Sequence, residues 1–312
     1  MKASSKKWFV IINPTSGNGS AKKKWGKIER LLKQHEFNFD FAFTEYEKHS
    51  SKLVQEAIKK DITNIISIGG DGTLHNIVNG IMSQNILPSN FVNVGVIPIG
   101  TGNDWIKTHK IPKNIKAALN IIKSGNIMHQ DLGEIDFKNS NKPSVFFNNA
   151  AGVGFDGYVV SKVEKFKNIG ALSYLYGALT GIFFFKNFGC KININSEEIL
   201  ENILMLSVGL CKYSGGGMQL TNTPNPFDGL LDVSIAKNFN SWDVIKNLVN
   251  LFNGKIYTIK KVQTLKTTSL NIEVNQTNAP LIQADGELIG SGDIEIRVLP
   301  KSFFVLWFKS LI

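Results

Sequence analysis

The 312-residue chain is poor in cysteine, with only Cys190 and Cys211. Two thiols exclude a disulfide framework, and their spacing matches no metal-ligand pattern, so a reducing cytosol is the expected setting. Long apolar runs are also missing. The longest candidate, residues 171–185, is interrupted by Ser, Thr and Gly, falls short of a membrane span and reads as a buried helix. The first apolar stretch, residues 8–12, is too short for a signal-peptide core and reads as an opening strand. No zinc-finger spacing and no aromatic–basic RNA motif occurs, so no nucleic-acid partner is expected. There is no G-x-x-x-x-G-K-[ST] phosphate loop, no protein-kinase glycine loop and no H-R-D. Acidic residues are scarce: 25 Asp and Glu face 35 Lys and Arg, giving a net charge of +10. Such a surface favours phosphorylated ligands or an anionic membrane.

What is present divides in two. Up to about residue 130, strands and helices alternate. Strands are expected at residues 7–12, 39–43, 65–68 and 92–97, with helices at 22–34, 51–60, 73–82 and 115–123. That alternation implies a mostly parallel sheet with helices on its faces. From about residue 131, short strands separated by turns dominate, interrupted by a helix pair near residues 156–185 and a helix at 241–252. The expected architecture is α/β: an N-terminal three-layer domain over residues 1–130 and a C-terminal β-sandwich over 131–299, with residues 300–312 returning to the first domain.

Three glycine-rich turns follow strands in the first half: NPTSGNG from Asn13, GGDGT from Gly69, and PIGTGND from Pro98. Ligands of open parallel sheets bind outside the carboxyl ends of the strands. A turn entering a helix presents N–H groups and a positive dipole end to an anion. Each turn alone is a weak signal, since glycine after a strand is usually only a turn; three at one sheet edge form a crevice for a nucleotide. Asp71 lies inside the second turn, where a carboxylate would repel phosphate unless a metal or a donor came between them. GVGFDG, residues 152–157, fits G-x-G-x-x-G but lies outside the alternating half and has no acidic residue about 20 positions on, so a dinucleotide site is not expected there. Asp228-Gly229 and Asp285-Gly286 read first as hairpin turns. Glu287 goes beyond what a turn needs, because two acids flanking a glycine can serve a hydroxyl awaiting deprotonation.

Together GGDGT, N-P-x-S-G, P-x-G-T-x-N-D and D-G-E, in order from Asn13 to Glu287, resemble the diacylglycerol kinase-type lipid kinases, a superfamily that includes sphingosine kinases. GGDGT alone is shared with NAD kinases. The resemblance implies two domains with an active site between them, ATP as donor and Mg²⁺ as cofactor. It implies nucleotide contacts at Asn13, Pro14, Thr15, Ser16, Gly17, Thr44, Gly69, Gly70, Asp71, Gly72, Thr73, Leu74, His75, Thr101 and Asn103. It implies a magnesium network of Asp71, Asp104 and Asp228, with Asn225 and the Leu230 carbonyl close by, and catalytic acids at Asp285 and Glu287. Many relatives have two aspartates where this chain has Phe227-Asp228.

The expected activity is phosphoryl transfer to a lipid hydroxyl, most simply diacylglycerol to phosphatidic acid, by a cytoplasmic protein that docks transiently on anionic membrane. An apolar groove is expected in the second domain, with residues 174–176 and 183–185 as candidate walls. A homodimer is compatible with the sequence. The rival readings are a kinase for a soluble acceptor such as NAD, and a non-catalytic nucleotide- or membrane-binding protein of the same fold.

Overall fold

The computed structural model describes residues 6–100, 103–163, 185–274 and 279–307. It divides into two compact units, Met1–Gln130 with Lys301–Ile312, and Asp131–Pro300.

In the first unit, β1 (Lys7–Ile12), α1 (Ser16–Gln34), β2 (Asn38–Phe43), α2 (His49–Lys59), β3 (Asn64–Gly69), α3 (Asp71–Met82), β4 (Asn93–Pro98), the single-turn α4 (Trp105–Thr108) and α5 (Ile115–Ser124) follow in order. β2, β1, β3 and β4 lie side by side, all parallel. β3 is buried throughout and β4 is buried from Val94 onward. Continuous apolar runs of this kind suit a sheet covered on both faces. Trp25, Ile28, Leu31 and Leu32 of α1 pack on Val10, Ile12, Ile66 and Ile68. Because β1 is followed by β2 on one side and β3 on the other, the chain reverses direction across the sheet at the β1–β3 boundary. That is where an open sheet leaves a crevice at its carboxyl edge.

The second unit is antiparallel. β5 (Ile127–Phe137) crosses the division. It is followed by β6 (Val145–Phe147), β7 (Ala150–Gly154), α6 (Phe155–Val163), β8 (Phe188–Ile194), β9 (Glu197–Gly209), β10 (Leu231–Lys237), α7 (Ser241–Asn253), β11 (Val262–Thr267), β12 (Ser269–Val274), β13 (Leu281–Ala284), β14 (Glu287–Ser291) and β15 (Ile294–Leu306). Strands β14, β13, β7, β9, β8, β12 and β15 are neighbours in that order, and β10 joins β9 to β11. Alternate residues, among them Ile192, Ile194, Leu206, Val208, Val233, Ile235, Ile272 and Ile296, form the sandwich core. β15 also crosses the division: Ser269 to Ile272 pair with its first half, and Phe304 and Val305 run parallel to Asn93 and Val94 in the first unit.

Strands β5, β11 and β14 and helix α4 lie outside the sequence expectations. β5 is 11 residues long, but its apolar positions are interrupted by His129, Gln130, Asp131 and Glu134; the others are short, and β14 begins inside the D-G-E motif, where the turn signal hides the strand. Most of the expected helix pair lies outside the described residues; only α6 is seen.

Candidate functional site

The loops after β1, β3 and β4 converge. A Cβ on Gly100 would lie 3.2 Å from Gly70 Cα and 3.1 Å from Asn103 Oδ1, and one on Gly17 would lie 3.4 Å from Ile99 and 3.7 Å from the Gly100 amide. Any side chain at Gly100 would push the second and third loops apart. Gly17, Asn18 and Gly19 all take left-handed backbone angles, at φ 60, 54 and 80°. The regular part of α1 therefore starts only after them, later than its first residue. Asn13 joins the first loop to the second: its Nδ2 donates to Thr73 Oγ1 at 3.2 Å, while its Oδ1 accepts from the Thr15 amide and hydroxyl at 3.1 and 2.8 Å. Ile99 N–H donates to the Gly69 carbonyl at 2.9 Å, and Asn103 Nδ2 to the Gly100 carbonyl at 3.1 Å. The result is a backbone-lined cradle of small residues next to the start of α3, where the Thr73 and Leu74 amides are taken by the Gly70 carbonyl at 3.0 and 3.2 Å and the helix turns the positive end of its dipole outward. This donor set fits phosphate oxygens.

Asp71 has a structural duty as well. Its Oδ2 accepts the Asp104 amide at 2.8 Å and its Oδ1 the Trp105 amide at 3.4 Å, so the second loop caps α4 after the third. Asp104 is buried and ion-paired with Lys107 at 2.6 Å. The side chains of Thr73, Leu74 and His75 are buried on α3, and Thr44 sits at the end of β2, donating its amide to the Ile12 carbonyl at 2.8 Å. Pro14 and Ser16 are half-buried, Thr15 is exposed, and Thr101 lies outside the described residues. Just after α4, His109 lies against Trp105 with 4.3 Å between ring centroids and the planes tilted by 48°. Burial pulls its pKa down to about 3 against a hydrogen bond with Gln130 that favours the protonated form, so the ring is neutral at ordinary pH.

In the second unit, Asp285 and Gly286 have φ of 51 and 83° and close β13 onto β14 through the pair Ala284 and Glu287. This is the hairpin turn that an Asp-Gly pair favours. The Asp285 carboxylate does more than turn the chain. It accepts the amides of Asn148, Asn149 and Ala150 at 3.0, 2.9 and 3.1 Å, clasping the D-G-E turn to the segment entering β7. Glu287 follows as the half-buried first residue of β14.

Two residues that the sequence reading passed over support this turn. Gln283 Oε1 accepts the Gly286 amide at 2.8 Å, and its Nε2 donates to Asp156 Oδ2 at 2.7 Å. Burial raises the Asp156 carboxyl to about 6, opposed by the Gln283 hydrogen bond. Asp156 belongs to GVGFDG. The glycines there serve packing: a Cβ on Gly152 would meet Asp156 Oδ2 at 2.1 Å, and one on Gly157 the Leu281 carbonyl oxygen at 2.4 Å. β7 is antiparallel to both neighbours, so this is no dinucleotide βαβ unit. The aspartate in that motif was the available signal.

Asn225 and Asp228 are exposed. Asp228 accepts the Leu230 amide at 3.1 Å and pairs with Lys266 at 3.1 Å, which also pairs with buried Asp232 at 3.1 Å. Buried Asp131 accepts the Gly229 amide at 2.7 Å and so anchors the loop. Asp131, Asp232 and Lys266 carry no motif and escaped sequence reading. Among the described residues, no group of three or more His, Cys, Asp and Glu side chains is gathered to hold a metal ion.

The described part of the second unit also holds an apolar cavity of about 50 Å³, lined by Phe155, Leu204, Val244, Leu251 and Ile256 among others. Two serines on its wall, Ser207 and Ser234, have buried hydroxyls with no hydrogen-bond partner among the described residues. The space suits a few waters and is short of an acyl chain. Of the expected groove walls, residues 174–176, 183 and 184 lie outside the described residues. Phe185 packs on Phe155 and Tyr158, at 5.6 and 5.5 Å between centroids.

Comparison with known proteins places this geometry. Residues 7–135 match the diacylglycerol kinase catalytic domain, and residues 149–307 match the YegS C-terminal NAD kinase β-sandwich-like domain. The chain belongs to the diacylglycerol kinase-type lipid kinase family. It is 26% identical over 302 residues to a protein named diacylglycerol kinase from Mycobacterium tuberculosis strain H37Rv, covering 95% of this chain and 94% of that one. It is 27% identical over 255 residues to one named "Probable lipid kinase YegS" from Salmonella arizonae, covering 80% of each. A solved structure described as a diacylglycerol kinase from Bacillus anthracis strain Sterne shares the fold, with a TM-score of 0.71 at 23% identity over the whole of both chains.

Proposed function

We propose that the chain is an ATP- and Mg²⁺-dependent kinase that phosphorylates a lipid hydroxyl, with diacylglycerol as acceptor and phosphatidic acid as product. The convergence of the Gly17, Gly70 and Gly100 loops at the β1–β3 switch point, in a chain of this family, carries the reading. In it, Asn13, the left-handed Gly17–Gly19 turn and the N-terminal end of α3 hold the phosphates, with Thr44 beside the nucleotide and Thr101 a further contact that the family resemblance suggests. Mg²⁺, bound mostly by phosphate oxygens and water with one or two carboxylates, would neutralise charge developing in transfer. Asp71, in the second loop of the cradle, and Asp104, whose amide Asp71 accepts at 2.8 Å, are the carboxylates of the first unit that would serve the ion; Asp228, Asn225 and the Leu230 carbonyl are the further candidates that the family resemblance suggests. The acceptor oxygen attacks the γ-phosphorus, the bond to the β–γ bridging oxygen breaks, ADP leaves, and the hydroxyl proton passes to Glu287. Asp285, both of whose oxygens are engaged by amides, holds the turn that presents Glu287.

The test is incubation with γ-labelled ATP and, separately, diacylglycerol, a sphingoid base, an isoprenoid alcohol, phosphatidylglycerol and NAD, with products separated by thin-layer chromatography. Labelled phosphatidic acid is expected. Label in NAD, or ATP consumed with no acceptor labelled, would overturn the reading.

A further inference from the structure

Helix α7 is apolar on two opposite sides. Its inner side, Val244, Asn247 and Leu251, lines the small cavity of the second unit. At about 100° per residue, Trp242, Ile245, Val249 and Phe252 fall together on an outer arc roughly 80° wide. All four are exposed, at 69, 40, 71 and 54%. Tyr257, at 54%, follows just after the helix. The helix is held firmly enough to present this stripe: Asn240 and Asp243 form a reciprocal capping box, and Gly254 ends it in the left-handed conformation. Large exposed apolar side chains scattered singly need no explanation, but four in one stripe do.

We infer that the outer face of α7 is a docking surface for an anionic lipid bilayer, lying in the interface with Trp242, Ile245, Val249 and Phe252 inserted among the acyl chains. Charge argues for lipid. Between residues 238 and 262 there are four lysines, 246, 255, 260 and 261, and a single acid, Asp243, already paired with Lys261 at 2.6 Å. All four lysines are exposed. Trp and Tyr at the edges of an apolar stripe, with lysines beside it, suit the headgroup boundary. A second copy fits less well, because a two-fold interface would bring these lysines toward their own counterparts. The inference deepens the lipid-kinase reading by locating where the chain meets its substrate surface, but the binding itself needs neither ATP nor turnover.

The test is flotation of the full chain with phosphatidylcholine vesicles, with and without phosphatidylglycerol, without nucleotide. Val249→Glu with Phe252→Glu is expected to lower the partition coefficient at least about tenfold while keeping the wild-type circular dichroism, since both side chains are exposed. Lys246→Glu with Lys255→Glu should remove the preference for anionic vesicles, and high salt should weaken it. Brominated lipid should quench tryptophan emission of the wild type and lose most of that effect in Trp242→Phe. Wild-type partition by the Val249/Phe252 variant, quenching that persists in Trp242→Phe, or a dimer dissociated by Val249→Glu with vesicle binding unchanged would each overturn the inference. Binding through α7 with no lipid phosphorylated would sink the kinase reading alone. Lipid phosphorylated on vesicles at wild-type rate by the α7 variants would sink docking alone.

Discussion

The two units solve different problems with the same residue, an aspartate beside glycine. In the first, Asp71 follows Gly70 at the head of a helix and reaches forward to cap α4, so its carboxylate binds one loop of the cradle to the next. In the second, Asp285 precedes Gly286 in a hairpin and reaches back to three amides at the entry to β7. Parallel strands end in loops that bring backbone together, and backbone N–H groups suit phosphate. Antiparallel strands end in tight turns that hold side chains at fixed register, and a carboxylate at fixed register suits proton transfer. The difference teaches that each motif is structural first, with the chemistry left to what that structure exposes.

The sharpest way to break this comparison is Asp71→Ala. Turnover should be abolished, with a loss of about 1 kcal/mol from the first unit as α4 loses its cap; an active variant would remove Asp71 from the site. Next come the two acids of the second unit. Glu287→Gln should lower single-turnover phosphorylation about 10²–10⁴-fold, the usual cost of losing a general base. Asp285→Asn should lower turnover over a similar range and also cost about 1–3 kcal/mol of stability, because an amide nitrogen would face a backbone donor. If Asp285→Asn leaves stability untouched while Glu287→Gln is fully active, the two roles are exchanged. Gly100→Val, which would force Gly70 and Asn103 away, should weaken binding of a non-hydrolysable ATP analogue by roughly 10²-fold in calorimetry.

The smallest effect concerns pH, where the units differ in sign. His109 is held neutral with its pKa lowered from 6.5 to about 3, so its stabilisation is present above pH 6.5 and is lost as pH falls toward 3. Asp156 is raised from 3.8 to about 6, so its contribution is full below 3.8 and is lost as pH rises through 6. Hydrogen exchange followed from pH 7 to pH 5 should show protection near α4 falling and protection near α6 and β13 rising. Asp156→Asn should flatten the second trend. Both regions moving in the same direction would contradict the assignment.

Much of the fold was legible. In the first unit, runs such as IISIG and the helical spacing behind them mark both element and burial, because a sheet covered on both faces needs uninterrupted apolar strands. The cradle was legible as three glycine-rich turns after strands. The supports were not. Gln283, Asp131 and Lys266 are ordinary polar residues whose partners lie up to 127 positions away, the separation of Gln283 from Asp156, and no local pattern marks them. Asp156 stood in plain view inside a glycine motif that was weighed only as a dinucleotide loop. The outer stripe of α7 escaped because a helix with two apolar faces reads, by periodicity, as simply buried.

By itself the sequence determined the alternation of strand and helix, the change to antiparallel strands near residue 131, and which turns could bear chemistry, since these depend on local backbone freedom and on spacing between neighbours. Only the tertiary structure decided what each carboxylate is bonded to, which glycines must stay bare because a Cβ there would fall within 3 Å of other atoms, and which side of α7 is covered. Those are contacts between residues far apart in the chain, and nothing in a local stretch encodes the partner that folding will bring to it.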